Sequence, residues 1–94
     1  MENNMAVQAT YDARGDVLYL AVGPSRKDVR YRDDDTGILI RVASDGLTVG
    51  VTVEDFAYVW RDRTDELSRL ASEALHADYA LNRDCVRKSF SEAL

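Results

Sequence analysis

The stretch Thr36–Val53, TGILIRVASDGLTVGVTV, decides how the rest of the chain is arranged. Two β-rich runs, Ile38–Val42 and Leu47–Val53, flank Ala43-Ser44-Asp45-Gly46. The Asp-Gly pair supplies the positive-φ positions of a tight turn, so the stretch predicts a β-hairpin. In the second run Leu47, Val49, Val51 and Val53 share one face, and Thr48, Gly50 and Thr52 share the other. Ile38, Ile40 and Val42 give the first run a matching aliphatic face, with Leu39 and Arg41 opposite. A period of two with one aliphatic side describes an antiparallel sheet buried on that side.

Working back toward the N-terminus, Val7–Tyr11 alternates as a first strand, and residues 1–5 are expected to be frayed. Asp12-Ala13-Arg14-Gly15-Asp16 is a turn, because Gly15 takes left-handed backbone freely and Asp12 caps a loop through its side chain. Val17–Val22 is apolar on both faces, the pattern of a central strand. Gly23-Pro24-Ser25 ends it, since proline cannot continue a ladder. Arg26–Arg32 holds a short third strand with Val29 and Tyr31 inward and Arg30 and Arg32 toward water. Asp33-Asp34-Asp35-Thr36-Gly37 leads into the hairpin, completing a five-stranded antiparallel meander.

Past Val53, the residues Phe56, Tyr58 and Trp60 alternate, so the last strand is expected to run on or bend at a bulge. From Asp62 or Thr64, either of which suits a helix N-cap, the period turns helical. Leu67, Leu70, Ala71, Ala74 and Leu75 follow the spacing of one apolar stripe, which should lie on the Val/Ile face of the sheet. Asn82 either breaks this helix or rides on it. Beyond it Val86, Phe90, Ala93 and Leu94 form a second stripe. If one helix covers one face of a small sheet, that stripe has no home in the monomer and a homodimer is expected. The reading is a single α+β domain over residues 1–94, with a β-meander at 7–60 and one or two helices at 62–94.

Ninety-four residues with 46% hydrophobic and 31% charged side chains make an ordinary globular domain. A chain this short buries roughly 60–65% of its unfolded surface, a margin that a partner would improve. The net charge of −5 disfavours a nucleic-acid surface, which wants a basic stripe. Cys85 is the single cysteine, which excludes an internal disulfide and fits a reducing compartment. The longest apolar run, Val17–Val22, is far below the ~20 residues of a membrane span. The opening Met-Glu-Asn-Asn-Met lacks the basic and apolar regions of a signal peptide, so a cytoplasmic location is expected.

Residues 7 to about 55 resemble the domain-of-unknown-function 2283 family. The likeness rests on Tyr11-Asp12, Asp16-Val17-Leu18-Tyr19-Leu20, Gly37-Ile38-Leu39-Ile40 and Asp45-Gly46-Leu47-Thr48-Val49-Gly50-Val51-Thr52-Val53. Thr52 departs from the glutamate common at that place, and Trp60–Leu94 extends past the compact domain. The resemblance implies a small β-meander and no particular chemistry. The small toxin genes beside some members imply an antitoxin-like or partner-binding role.

Candidate chemistry is sparse. Asp12 and Asp16 across one turn have the residue types of a divalent-cation or acid–base pair, or of a capped turn. Asp33-Asp34-Asp35 and the preceding Arg26, Lys27, Arg30 and Arg32 read as solvated, mutually neutralising faces. His76 has no second histidine to share a metal, and its place relative to Cys85 does not favour a nucleophile pair. Phe56, Tyr58 and Trp60, if on one side of a strand, form either an interface hot spot or the seal between sheet and helix. The expectation is a non-enzymatic protein-binding and dimerisation module without metal or cofactor. Its interface would be Phe56, Tyr58, Trp60, Val86, Phe90 and Leu94. The alternative is a small-ligand or metal-binding domain with weak catalytic potential at Asp12 and Asp16.

Overall fold

A computed structural model describes residues 7–24, 26–33, 35 and 37–93, with the side chain of Ala93 excepted. The expectations placed on residues 1–5, Ser25, Asp34, Thr36 and Leu94 lie outside the described residues. The elements are β1 (Val7–Asp12), β2 (Val17–Val22), β3 (Val29–Asp33), β4 (Leu39–Ala43), β5 (Thr48–Val53), α1 (Phe56–Trp60), α2 (Thr64–Leu75) and α3 (Tyr79–Ala93).

The five strands form one antiparallel sheet in the order β1-β2-β5-β4-β3. The segment β3-β4-β5 is a meander built on the Asp45-Gly46 turn. The β1-β2 hairpin is zipped to it through β2 and β5. The link from β2 to β3 therefore crosses the end of the sheet over β5 and β4. The doubly apolar β2 is an interior strand, paired along both edges. Helices cover only its Leu18 and Leu20 face, and Tyr19 on the other is 36% exposed, which corrects the expectation that such a pattern implies cover on both sides.

Register divides the residues between two faces. Leu18, Leu20, Ile40, Val51 and Val53 point to one side and are at most 2% exposed. Tyr19, Ala21, Leu39, Arg41, Gly50 and Thr52 point to the other, as do Val29 and Tyr31. This corrects the third strand, whose Val29 and Tyr31 were expected inward; Tyr31 is 60% exposed. A bulge opposite Arg41 and Val42 also breaks the alternation of β5. It leaves Leu47 out of step with Val51 and Val53, and Leu47 is exposed rather than sealed.

Helix α2 lays Leu67, Ala71 and Leu75 on the sheet, as its stripe predicts. The residue at its N-cap is Arg63, without a side-chain cap bond, rather than Asp62 or Thr64. The break after α2 falls before Asn82. His76 takes left-handed backbone (φ 52°) and its N–H returns to Ser72. Asp78 then caps α3 by accepting from the amides of Ala80 and Leu81 at 2.8 and 3.2 Å. Asn82 is buried inside α3 and donates to the Asp78 carbonyl.

The second stripe is not left over. Val86 is fully buried, and the Phe90 ring lies 4.1 Å from that of Phe56. Five strands at about 4.8 Å spacing span about 20 Å, whereas one helix is about 10 Å across. Two helices are needed to cover one face, and α3 takes the β1 side. Val86 and Phe90 therefore belong to the core of the protomer and not to an interface, which corrects that expectation.

The segment after β5 is likewise helix and not strand. Phe56 and Trp60 lie one turn apart and are buried, while Tyr58 between them is 85% exposed. The three aromatics do not share a face.

Candidate functional site

Asp12 and Asp16 close the turn between β1 and β2 but do not converge on a common point. Asp12 accepts from the Arg14 amide at 3.0 Å, the capped-turn geometry. Asp16 sits in left-handed backbone (φ 56°) and turns its carboxylate toward the start of α1. There it accepts from the Tyr11 hydroxyl (2.7 Å) and from the amides of Ala57 (2.9 Å) and Tyr58 (3.2 Å). Its carbonyl also accepts from the Phe56 amide. Burial pushes this carboxyl up, but the Ala57, Tyr11 and Tyr58 donors outweigh it and hold the group below the usual range. The Tyr11 hydroxyl, bonded to that anion and partly buried, is pushed up to about 12. Asp16 is thus a joint between the first hairpin and α1.

These contacts also explain the helical turn at Phe56–Trp60. Three orphan amides of a short helix find acceptors in Asp16, which extended backbone would not present. Trp60 is then sealed from outside by Arg63, whose guanidinium carbon lies 4.2 Å from the ring centroid. Gly37, at φ 94°, passes so close beneath the indole that an added Cβ would come within 3.1 Å of it.

The charged runs are structural where they can be followed. Arg26 bridges Asp28 and Asp45 at 2.7 and 3.0 Å, and Asp28 also accepts from Ser44. This fastens the β2–β3 link to the central hairpin. Arg26 and Ser44 hold the Asp28 carboxyl well below the usual range. Asp33 accepts from the Asp35 amide. Cys85 is half-buried against the Val7 carbonyl, and burial, then Asp84, pushes its thiol up. A thiol so placed is a weak nucleophile. Among the described residues, no three His, Cys, Asp or Glu side chains gather as a metal site would require. No helix among them is long and apolar enough to cross a membrane.

Concave surface of useful size lies elsewhere, in a groove that the sequence did not announce. It occupies about 440 Å³ at the end of the sheet, between the Asp45-Gly46 turn and the α2–α3 corner. Val22, Pro24, Val49 and Leu75 line it, with Leu47 and Leu81 at its edges. Leu47 is 61% exposed and Leu81 is 42% exposed. Arg26, His76 and Asp78 supply the polar part of the lining. The volume is in the range of ligand sites, and the composition suits apolar side chains better than a reacting centre. Two deviations from simple periodicity build it. The bulge in β5 turns Leu47 outward, and the early end of α2 opens the corner before Leu81.

Comparison with known proteins gives a family match. The family described as "Protein of unknown function (DUF2283)" matches residues 8–57. No curated protein and no solved structure matches the chain.

Proposed function

The chain belongs to the DUF2283 family of proteins of unknown function, and on that footing we propose that it is a non-enzymatic protein-binding module that pairs with a second copy of itself. The observation that carries this reading is the exposed Leu47 beside its own apolar groove. A surface holding both a projecting leucine and a recess is self-complementary. A two-fold axis near it would place Leu47 of each copy in the groove of the other. Asp16 is committed to α1 and Asp12 to its own turn, which weakens the ligand-binding alternative at that pair.

Self-pairing of this kind has a characteristic salt response. Two chains of net charge −5 repel, so screening should strengthen an apolar contact between them. The narrower, antitoxin-like reading calls for a basic partner, and the acidity of the chain supports it. That complex should weaken with salt. Dilution followed by amide NMR at low and high salt tests the self-pairing. Concentration-dependent shifts should centre on Leu47, Val49 and Leu81 and persist to lower protein concentration at high salt. Spectra unchanged across the whole dilution range would contradict self-pairing.

A further inference from the structure

The uncovered face of the sheet carries a second feature, independent of the groove. At its centre Arg41 on β4 lies opposite Gly50 on β5, and Thr52 is the next β5 residue on that face. Arg41 and Thr52 are thus diagonal neighbours, about 7 Å apart at Cβ. The Arg41 side chain lies flat on Gly50. A Cβ added there would meet its Nη1 at 3.0 Å and its Cδ at 3.2 Å. Seventeen acidic residues are present in the chain, yet none pairs with Arg41 among the described residues, and its Nε is buried with no hydrogen-bond partner. Thr52 is only 6% exposed, and its hydroxyl oxygen is also buried without a partner.

A buried guanidinium Nε and a buried hydroxyl, each without a partner among the described residues, cost stability, and either residue could be replaced by an apolar one without that cost. Such a lapse from local consistency marks places where something else completes the structure. Completion here requires an acceptor for the guanidinium that also takes the Thr52 hydroxyl proton in a hydrogen bond. A carboxylate does both: its two oxygens match the edge of a guanidinium, and it accepts from a hydroxyl. Nothing polar ties Arg41 to Gly50, so lifting it to meet a ligand breaks no hydrogen bond. Tyr31 stands opposite Arg41, and Tyr19 opposite Thr52, exposed by 60% and 36%. Their rings border the place where the body of a ligand would rest.

We propose that Arg41 and Thr52 form an anchoring point for a carboxylate on the uncovered face of the sheet, with Tyr19 and Tyr31 bordering the apolar group that bears it. The carboxylate can come from a free organic acid or from a glutamate in a partner segment, and the experiment separates the two. The Nε–Hε NMR signal of Arg41 in the full chain is followed during titration with sodium benzoate. A parallel titration uses a capped valine-rich peptide holding one glutamate. Sodium chloride and inorganic phosphate at equal ionic strength are the controls.

The expected result is a saturable shift with a carboxylate that chloride and phosphate do not produce. Tighter binding of benzoate identifies a free acid as the source. Tighter binding of the glutamate peptide than of its glutamine counterpart identifies a protein segment. Thr52→Val should weaken binding at least several-fold while leaving the melting temperature equal or higher, and Arg41→Lys should weaken it further. Thr52→Glu places a carboxylate beside Arg41 within the chain and should abolish the response. Equal shifts with chloride or phosphate, or unchanged binding in Thr52→Val, would overturn the proposal.

Discussion

At the scale of single residues, Asp16 does more than its place in a turn suggests. One carboxylate takes a tyrosine hydroxyl and two amides from a helix forty residues away in sequence. Hydrogen bonds to an anion are each worth about 1.5–3 kcal/mol, and partial exposure of the site brings the total toward the low end. Asp16→Asn keeps the size and the tolerance for left-handed backbone but removes the charge. It should lose about 1–3 kcal/mol of stability at neutral pH in urea unfolding. The native carboxyl is held below its ordinary value, so its stabilisation is complete above the unfolded pKa of about 3.9 and fades as pH falls through the lower native value. Wild type and Asp16→Asn should therefore converge in strong acid. A gap that stays constant from neutral pH down to strong acid would contradict the role assigned to the charge. The sequence shows Asp16 as a turn residue. Its distant partners are not legible there, because no local pattern ties position 16 to position 57.

At the scale of elements, the hairpin at Asp45-Gly46 and the α2 stripe are legible because each follows from a repeated spacing. The segment Phe56–Trp60 is not. Over five residues, aromatics at alternate positions fit a strand, while the outer two also fit one helical turn. Asp16 and the short reach from β5 to α2 decide for the helix. The bulge in β5 adds one residue without changing composition, so nothing in the sequence marks it. The end of α2 could have been found: Asp78 followed by Tyr79 and Ala80 is an N-cap signal four residues before the helix-breaking candidate Asn82. Assigning α3 to the core has a direct consequence. Phe90 packs on Phe56 and is 8% exposed, so Phe90→Ala should cost about 3–5 kcal/mol in chemical denaturation. Were the second stripe an interface instead, that substitution would leave monomer stability nearly untouched and change only the oligomeric state.

At the scale of the whole molecule, the covered face and the bare face of the sheet have different work. The covered side holds the chain together through Leu18, Leu20, Val51, Val53 and the two helices. Its open end leaves the groove edged by Leu47 and Leu81, and on the bare side no acidic side chain among the described residues pairs with Arg41. Strand order separates these surfaces and could not be read from the sequence. A six-residue link after β2 reaches across the sheet end as readily as it turns back. Sedimentation equilibrium of the full chain and of Leu47→Asp and Leu81→Asp tests the binding surface most directly. Both positions are substantially exposed, so circular dichroism melts should stay near wild type. The expected result is a concentration-dependent dimer for the wild type and monomers for both variants at the same loading. A wild type that stays monomeric at every loading, or variants that associate as the wild type does, would contradict a self-pairing groove.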